Sequence, residues 1–384
     1  MRKRFENGRI FTTAGTFVPG GFSVENHVFT EVHCYAPGER EQVCNGISGD
    51  AEDLQGACVI PGLIDLHVHG ALGADATDGD PEGIRRMAKH LFDCGVTAFL
   101  PTTVTAPIPV LKQAIRAINE VKSAETPEGE QARILGVHLE GPYFSKEKKG
   151  AQNPEYLKAP DLGEFRSLQE LSGHSIRLVA LAPELPGAEA FIREASKETV
   201  VSVAHTNCTH EEAGRAFENG ASHLTHLFNA MPGLHHRAPG PIPAAAERPE
   251  VFAELISDGI HVDPAMVRLA FRLFQGRICL ISDALRAEGL SDGFYDLGGL
   301  KVVLSGQRAT LEDGTIAGSV TNLMNCVKRA VSFGVPAGEA LLAATLNPAR
   351  SLGIGDRFGS IEPGKAADFV LLDGALNRIR TVRA

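Results

Sequence analysis

The chain has 384 residues, 43% of them hydrophobic, which is enough for one large core or for a large domain with a small one. Its formal net charge of −10 argues against nucleic acid or an anionic membrane as the main partner, although a local basic cluster could still hold a small anion. No apolar run reaches the roughly 18 residues of a membrane-spanning helix. The basic N-terminus is not followed by the apolar stretch of a secretory signal. We therefore expect a cytoplasmic protein.

The seven cysteines are odd in number and widely spaced, and no C-x-x-C pair occurs. This pattern favours free thiols in a reducing compartment over a disulfide framework. The residues concerned are Cys34, Cys44, Cys58, Cys94, Cys208, Cys279 and Cys326.

Short apolar runs alternate with helical patterns from residue 59 onward. The runs predicted to be strands are 59–69, 96–102, 133–140, 175–182, 199–205, 222–227, 251–257 and 277–282. The segments predicted to be helices are 80–94, 109–124, 187–197, 210–219 and 264–275. Eight β/α units predict an α/β fold, a (β/α)8 TIM-like barrel. An open doubly wound sheet is the alternative, but no G-x-G-x-x-G follows the first strand.

The two ends of the chain have a different pattern. Residues 1–58 contain short alternating runs around Gly, Pro and Asn, and residues 357–384 contain a turn followed by a strand. Neither end is long enough to form a good core alone. We predict that residues 1–58 and 357–384 together form a small β-sandwich domain beside a barrel domain of residues 59–356.

Polar side chains stand at the carboxyl ends of the predicted barrel strands, where the active sites of such barrels gather. His67 and His69 are two apart on one strand, so both imidazoles leave the same face and could hold Zn²⁺ or Fe²⁺. Glu140, His205 and His226 follow other strands and could be three ligands of a catalytic ion with one open position. His67 and His69 could then hold a second ion, with Glu140 bridging the two ions.

Each of the other polar residues near the predicted strand ends has two possible roles. Asp283, after the last strand, could cap a helix, or it could take a proton from metal-activated water and return it to a leaving amine. His138 shares a face with Glu140 and could support the ligands or contact substrate. Arg237 could bind phosphate or carboxylate, together with His261, or be a solvated surface charge. The small residues of 314–319 would let a ligand approach the backbone closely.

Several motifs occur in an order that resembles the N-acetylglucosamine-6-phosphate deacetylases of the amidohydrolase superfamily. They are PGLIDLHVHG (61–70), GVHLEGPY (136–143), AHT (204–206), HLTHLFNAM (223–231), HHR (235–237), SDA (282–284) and AGS (317–319). The resemblance implies Asp283 as catalytic acid and base, and one or two divalent ions, Zn or Fe. It implies Glu140, His205 and His226 as metal ligands. Some family members lack the histidines of the first strand and use one ion; this chain keeps His67 and His69, so a second ion stays open. It implies as substrate-binding residues Ala151, Asn229, Ala230, Arg237, His261, Ala317, Gly318 and Ser319. His138 is a further candidate for substrate binding, from its position on the strand alone.

The same resemblance implies a homodimer that hydrolyses a small phosphorylated amino sugar to glucosamine 6-phosphate and acetate in amino-sugar catabolism. Another amidohydrolase, acting on a different N-acyl or cyclic amide, is the first alternative. Many such enzymes use a carboxylated lysine as bridging ligand, but here Glu140 stands at the corresponding place and no lysine ends a predicted strand. A non-enzymatic scaffold is the second alternative, and the full ligand set argues against it.

Overall fold

The computed structural model describes residues 2–35, 51–125 and 129–383. The strands are β1 (Lys3–Phe11), β2 (Phe17–Glu25), β3 (Val28–Cys34), β4 (Ala51–Asp53), β5 (Cys58–Pro61), β6 (Leu63–Val68), β7 (Gly70–Ala71), β8 (Ala74–Asp75), β9 (Val96–Thr103), β10 (Arg133–Ile134), β11 (Val137–Glu140), β12 (Ile176–Leu181), β13 (Val200–Val203), β14 (His223–Leu224), β15 (Phe252–Leu255), β16 (Ile278–Leu280), β17 (Gly293–Leu297), β18 (Leu300–Ser305), β19 (Arg308–Leu311), β20 (Asp368–Leu372) and β21 (Arg378–Arg383).

The helices are α1 (Pro81–Asp93), α2 (Ile108–Ser123), α3 (Leu162–Leu171), α4 (Ala188–Ala195), α5 (His210–Glu218), α6 (Pro241–Ala246), α7 (Pro264–Leu273), α8 (Leu323–Ser332), α9 (Ala337–Ala343) and α10 (Leu346–Ser351). Short 3-10 turns cover Ala76–Asp78, Lys146–Lys148 and Pro154–Tyr156. Among the described residues, no helix has the length and hydropathy needed to cross a bilayer.

The parallel strands form the predicted barrel. They pair in the order β6, β9, β11, β12, β13, β14, β15, β16, with β10 beside β9. Backbone hydrogen bonds connect the two ends of this order: Asp283 N donates to His67 O at 2.9 Å, and His69 N donates to Ala284 O at 2.9 Å. The (β/α)8 fold class is therefore confirmed, and the carboxyl ends of its strands face one rim.

The predicted first strand, 59–69, is in fact two strands that belong to different sheets. β5 pairs with β1 and β20, whereas β6 pairs with β9 in the barrel. Gly62 lies between them, and a Cβ placed on it would come 1.9 Å from Thr97 Oγ1. The chain can therefore pass from one sheet to the other here only because this residue has no side chain.

Strands from both chain ends form one sheet, in the order β21, β20, β5, β1, β2, β3, with β4 beside β1. Its core is aromatic: the rings of Phe22 and Phe369 are completely buried and meet edge to face at 5.1 Å. Burying one such ring stabilises the fold by about 1.5–3 kcal/mol. The participation of both ends is as predicted, while the domain limits at residues 58 and 357 stay a prediction.

The fold has two further features. The antiparallel strands β17–β19, inserted after β16, were not predicted, because they stand outside the β/α alternation of the barrel. The described cysteines Cys34, Cys58, Cys94, Cys208, Cys279 and Cys326 are all free, as predicted. Cys44 lies outside the described residues.

Candidate metal and catalytic site

Glu140, His205 and His226 come together at the rim of the barrel although they are far apart in the chain. Glu140 Oε1 lies 3.3 Å from Nε2 of His205 and 3.3 Å from Nε2 of His226. The two Nε2 atoms are 3.0 Å apart. All three side chains are buried. Their ligand atoms all lie within 4.8 Å of one another, close enough to hold one ion, and the role of the three residues as metal ligands stays a prediction.

His67, His69 and Asp283 form a second group against the first. Asp283 Oδ1 lies 3.5 Å from His67 Nε2 and 3.3 Å from His69 Nε2, and the two imidazole nitrogens are 3.2 Å apart. Glu140 reaches this group as well, because its Oε1 is 3.4 Å from His67 Nε2 and its Oε2 is 3.5 Å from His69 Nε2. The Glu140 carboxylate therefore stands between the two groups.

The backbone at three of these positions has an unusual conformation. His205, His226 and Asp283 have φ angles of 43°, 28° and 49°, in a region that non-glycine residues seldom adopt. Each follows the end of a barrel strand. Such strained residues cluster at functional sites, where the surrounding structure holds them in place.

The electrostatics of the site favour a cation. Burial alone would raise the pKa of Glu140, but His67, His205 and His226 hold this pKa well below its usual value. Burial opposes the charged form of His67, yet Glu140, Asp283 and Glu254 raise its pKa to about 10. Because a metal ion competes with protons for imidazole, a divalent cation can take the place of that proton.

The outer nitrogens of three imidazoles also fit a metal centre. Nδ1 of His67 lies 2.9 Å from Glu254 Oε2, Nδ1 of His69 lies 3.1 Å from Thr102 O, and Nδ1 of His205 lies 3.0 Å from Lys148 O. Each of these acceptors favours the tautomer that has its proton on Nδ1. The Nε2 atoms are then free to bind metal, which is the usual arrangement of metal-bound histidines. A set of imidazole and carboxylate ligands suits Zn²⁺ or Fe²⁺.

The two groups open into a cavity of about 250 Å³. Among the residues predicted to contact substrate, those on its wall are Ala151, Asn229, Ala230, His261 and Gly318. Leu297, at the end of β17, and Thr315 and Ile316, just after β19, also line it, so the inserted strands help to close the site.

The structure does not bring the other predicted substrate residues to this wall. Arg237 is exposed on the loop that follows β14, where no periodic pattern allowed its position to be predicted. Ala317 and Ser319 are buried behind the wall, and Ser319 Oγ donates to Ser282 O at 2.5 Å. His138 is completely buried below the ligands, with Nδ1 3.1 Å from Leu66 O and its ring 4.6 Å from that of His67. Of the two possible roles of His138, this position fits support of the proposed metal ligands.

Comparison with known proteins agrees with this geometry. The sequence model of the amidohydrolase family matches residues 58–383. The chain belongs to the amidohydrolase family.

Two relatives of this amidohydrolase make the similarity more specific. The chain is 40% identical over 319 residues to the N-acetylgalactosamine-6-phosphate deacetylase of Escherichia coli O157:H7, which covers 83% of the chain and 84% of that protein. It is 38% identical over 328 residues to the N-acetylglucosamine-6-phosphate deacetylase of Bacillus subtilis (strain 168), covering 84% and 83%.

Solved structures give the same result. A mutant N-acetyl-D-glucosamine-6-phosphate deacetylase from Mycobacterium smegmatis, in complex with N-acetyl-D-glucosamine-6-phosphate, superposes with a TM-score of 0.89 at 31% identity, over 100% of this chain and 97% of that one. The enzyme from Pasteurella multocida gives 0.90 at 28% identity, over 100% and 99%. The resemblance seen in the sequence is confirmed.

Sequence reasoning missed two polar residues of this amidohydrolase site. Glu254 is completely buried on β15 and contacts His67. An acidic residue inside the apolar run of 251–257 was the available signal. Gln152 donates from Nε2 to Glu140 Oε2 at 2.6 Å and accepts from Thr105 N at 2.8 Å. It lies in a loop, so no strand pattern indicated it.

Proposed function

We propose that this amidohydrolase removes acetate from N-acetylglucosamine 6-phosphate and releases glucosamine 6-phosphate, as a step of amino-sugar catabolism. The observation that carries the proposal is the convergence of Glu140, His205 and His226 on one point, with Asp283 in the same cavity. The relatives named above support the substrate class, because each is a deacetylase of a phosphorylated N-acetyl amino sugar.

The proposed ligands of the first divalent ion, zinc or iron, are Glu140, His205 and His226. His67 and His69 would hold a second ion, with Glu140 between the two. A cation bound there would polarise the acetyl carbonyl and make water a better nucleophile near neutral pH.

Asp283 is proposed as the group that moves the proton. Asp283 is 7% exposed and lines the cavity, which suits a base that is shielded from bulk water yet reaches the cavity. It takes a proton from the attacking water and later returns that proton to the departing nitrogen. Because one group serves as base and then as acid, the site needs no second acid.

The cavity wall supports sugar binding by Ala151, Asn229, Ala230, His261 and Gly318. Arg237, which lies outside the cavity wall, is proposed to bind the phosphate. This proposal rests on the resemblance and on the charge of Arg237. Assembly as a homodimer and a cytoplasmic location are proposed on the same basis, the resemblance and the sequence.

A second candidate substrate is N-acetylgalactosamine 6-phosphate. It is favoured by the 40% identity to the Escherichia coli enzyme, against 38% for the Bacillus subtilis enzyme. The two sugars are epimers, and the metal and proton chemistry proposed above acts on their common acetamido group. One activity therefore does not exclude the other.

The test is hydrolysis of four compounds by metal-loaded protein: acetate release from the two phosphorylated epimers and from unphosphorylated N-acetylglucosamine, and ring opening of a cyclic amide. We expect the highest kcat/KM with N-acetylglucosamine 6-phosphate. Preference for the galacto epimer would establish the second candidate instead. Hydrolysis of the cyclic amide alone would overturn both. Equal rates with N-acetylglucosamine 6-phosphate and with N-acetylglucosamine would show that Arg237 and His261 do not bind the phosphate.

A further inference from the structure

A separate cluster of metal-competent side chains lies on the outside of the barrel, away from the catalytic cavity. His90 is in the last turn of α1, Cys94 caps the end of that helix, and Glu288 is in the loop that follows the last barrel strand. His90 Nε2 lies 2.5 Å from Glu288 Oε2 and 3.7 Å from Cys94 Sγ. The three atoms all lie within 4.8 Å of one another.

Both contacts of His90 use the same nitrogen, which can carry only one proton. That proton cannot be shared well between the Cys94 sulfur and the Glu288 oxygen. Glu288 Oε2 is buried, and within the described ranges no donor meets it in good hydrogen-bond geometry. The same convergence of nitrogen and oxygen atoms occurs among Glu140, His205 and His226.

We propose that His90, Cys94 and Glu288 bind a divalent cation of the zinc type, at a site distinct from the catalytic centre. One nitrogen, one sulfur and one oxygen ligand, with water as the fourth, match the tetrahedral coordination of Zn²⁺. The thiolate selects against Mg²⁺ and Ca²⁺, which prefer oxygen ligands. His90 and Cys94 are separated by one helical turn, so they face the same side of α1.

The position of the cluster suggests what the ion does. Glu288 N donates to Leu285 O at 2.9 Å, and Glu288 O accepts from Leu72 N at 2.9 Å. Leu285 lines the catalytic cavity. An ion at this cluster therefore joins α1 to the loop that carries part of the cavity wall, and its removal loosens that wall from outside.

A proton on His90 is the rival occupant. The contacts with Cys94 and Glu288 raise the pKa of His90 to about 10, so without a metal the cluster would be an ion pair. The two occupants differ in one property that can be measured. A metal ion bound here must have a sulfur ligand, whereas no cysteine belongs to either group of the catalytic site.

The experiment replaces the bound metal of the purified, reduced protein with Co²⁺ and records the near-ultraviolet spectrum. A thiolate bound to Co²⁺ gives an intense charge-transfer band that imidazole and carboxylate ligands do not give. We expect the band in the wild type, its loss in Cys94→Ser, and its persistence in Cys34→Ser, a matched control that removes an exposed thiol. Zinc analysis should show about one equivalent less in Cys94→Ser than in the control.

Absence of the band in cobalt-loaded wild type, or its persistence in Cys94→Ser, would overturn the proposal. Should Cys94→Ser fail to fold, His90→Gln gives the same test, because it removes a ligand and keeps the thiol. We expect that variant to lose the zinc equivalent as well. Neither measurement depends on deacetylation. The proposal for this site can therefore fail or hold independently of the proposed function.

Discussion

Nδ1 of His67 lies 2.9 Å from Oε2 of Glu254, and neither side chain is exposed to solvent. The same oxygen accepts from His226 N at 3.3 Å, and Glu254 Oε1 lies 3.5 Å from His223 Nε2. Glu254 thus connects one histidine of each proposed ligand group. Burial alone would raise the pKa of Glu254, but His67 and His223 hold it well below its usual value, so it carries a charge.

Replacing Glu254 with Gln should therefore weaken metal binding. The amide keeps the shape of the side chain but loses the charge that orients His67 and increases its basicity. We expect the metal affinity to fall by about 10–100-fold, the usual effect of losing such a support. Competition with a chelator measures it. Glu250→Gln, at an exposed position just before β15, is the matched control, and equal affinities in the two variants would contradict the role.

Asp283→Asn tests the proton transfer itself. The amide has nearly the same size but cannot accept a proton at neutral pH, so kcat should fall by about 10²–10⁴-fold. Metal content, measured by elemental analysis, should stay at the wild-type level because the proposed ligands are intact. A kcat close to that of the wild type would show that another group moves the proton.

Asp258 orients His261 at the cavity wall, and this arrangement should depend on pH. Its Oδ2 lies 2.8 Å from His261 Nδ1, and its Oδ1 accepts from the backbone N of Ile260 and of His261 at 2.9 Å each. Burial alone would raise the pKa of Asp258, but these hydrogen bonds lower it below the ordinary value of 3.8. A depressed pKa means that the contribution to stability is present above 3.8 and is lost as pH falls through the folded-state pKa.

The measurement is the free energy of unfolding of wild type and Asp258→Asn as a function of pH. We expect the variant to be less stable by about 1–3 kcal/mol at neutral pH, because charged hydrogen bonds are lost. The difference should shrink below the ordinary carboxyl pKa. A difference that is constant down to strongly acid pH would contradict the assignment. The KM for the phosphorylated sugar should rise, since His261 is no longer held.

How much of this site the sequence could predict depends on the kind of residue. His67 and His69 were found because a strand places every second side chain on one face, and Glu140 because it ends a strand. Glu254 was missed because its partner, His67, is distant in the chain and only barrel closure brings them together. Arg237 could not be placed because a loop without periodicity does not reveal its path. The left-handed backbone at His205, His226 and Asp283 could not be predicted, because most His and Asp residues have negative φ and only the surrounding structure imposes this conformation.

Gln152 offers a pair of variants with different expected effects. Gln152→Leu leaves Thr105 N without its acceptor and removes the Gln152 donor from Glu140 Oε2, so we expect a loss of about 1–3 kcal/mol in unfolding free energy. Gln152→Glu keeps the acceptor for Thr105 but places a second carboxylate against Glu140. Repulsion should then weaken metal-free folding further at neutral pH, and bound metal should offset part of this loss. Thermal unfolding with and without metal measures both, and the same response in the two variants would contradict the argument.

Gly62 is the point where the chain leaves the sheet of the two ends and enters the barrel, and it tests the connection between them. An added Cβ would meet Thr97 Oγ1 at 1.9 Å and Thr97 Cγ2 at 2.4 Å, and both atoms belong to a stiff, β-branched side chain on β9. We expect Gly62→Ala to lower the unfolding free energy by about 1–3 kcal/mol, the usual cost of overpacking. Gly374→Ala is the control, since nothing lies within 4 Å of its added Cβ. Equal urea midpoints for the two variants would mean that Thr97 can move aside and that the connection between β5 and β6 tolerates a side chain.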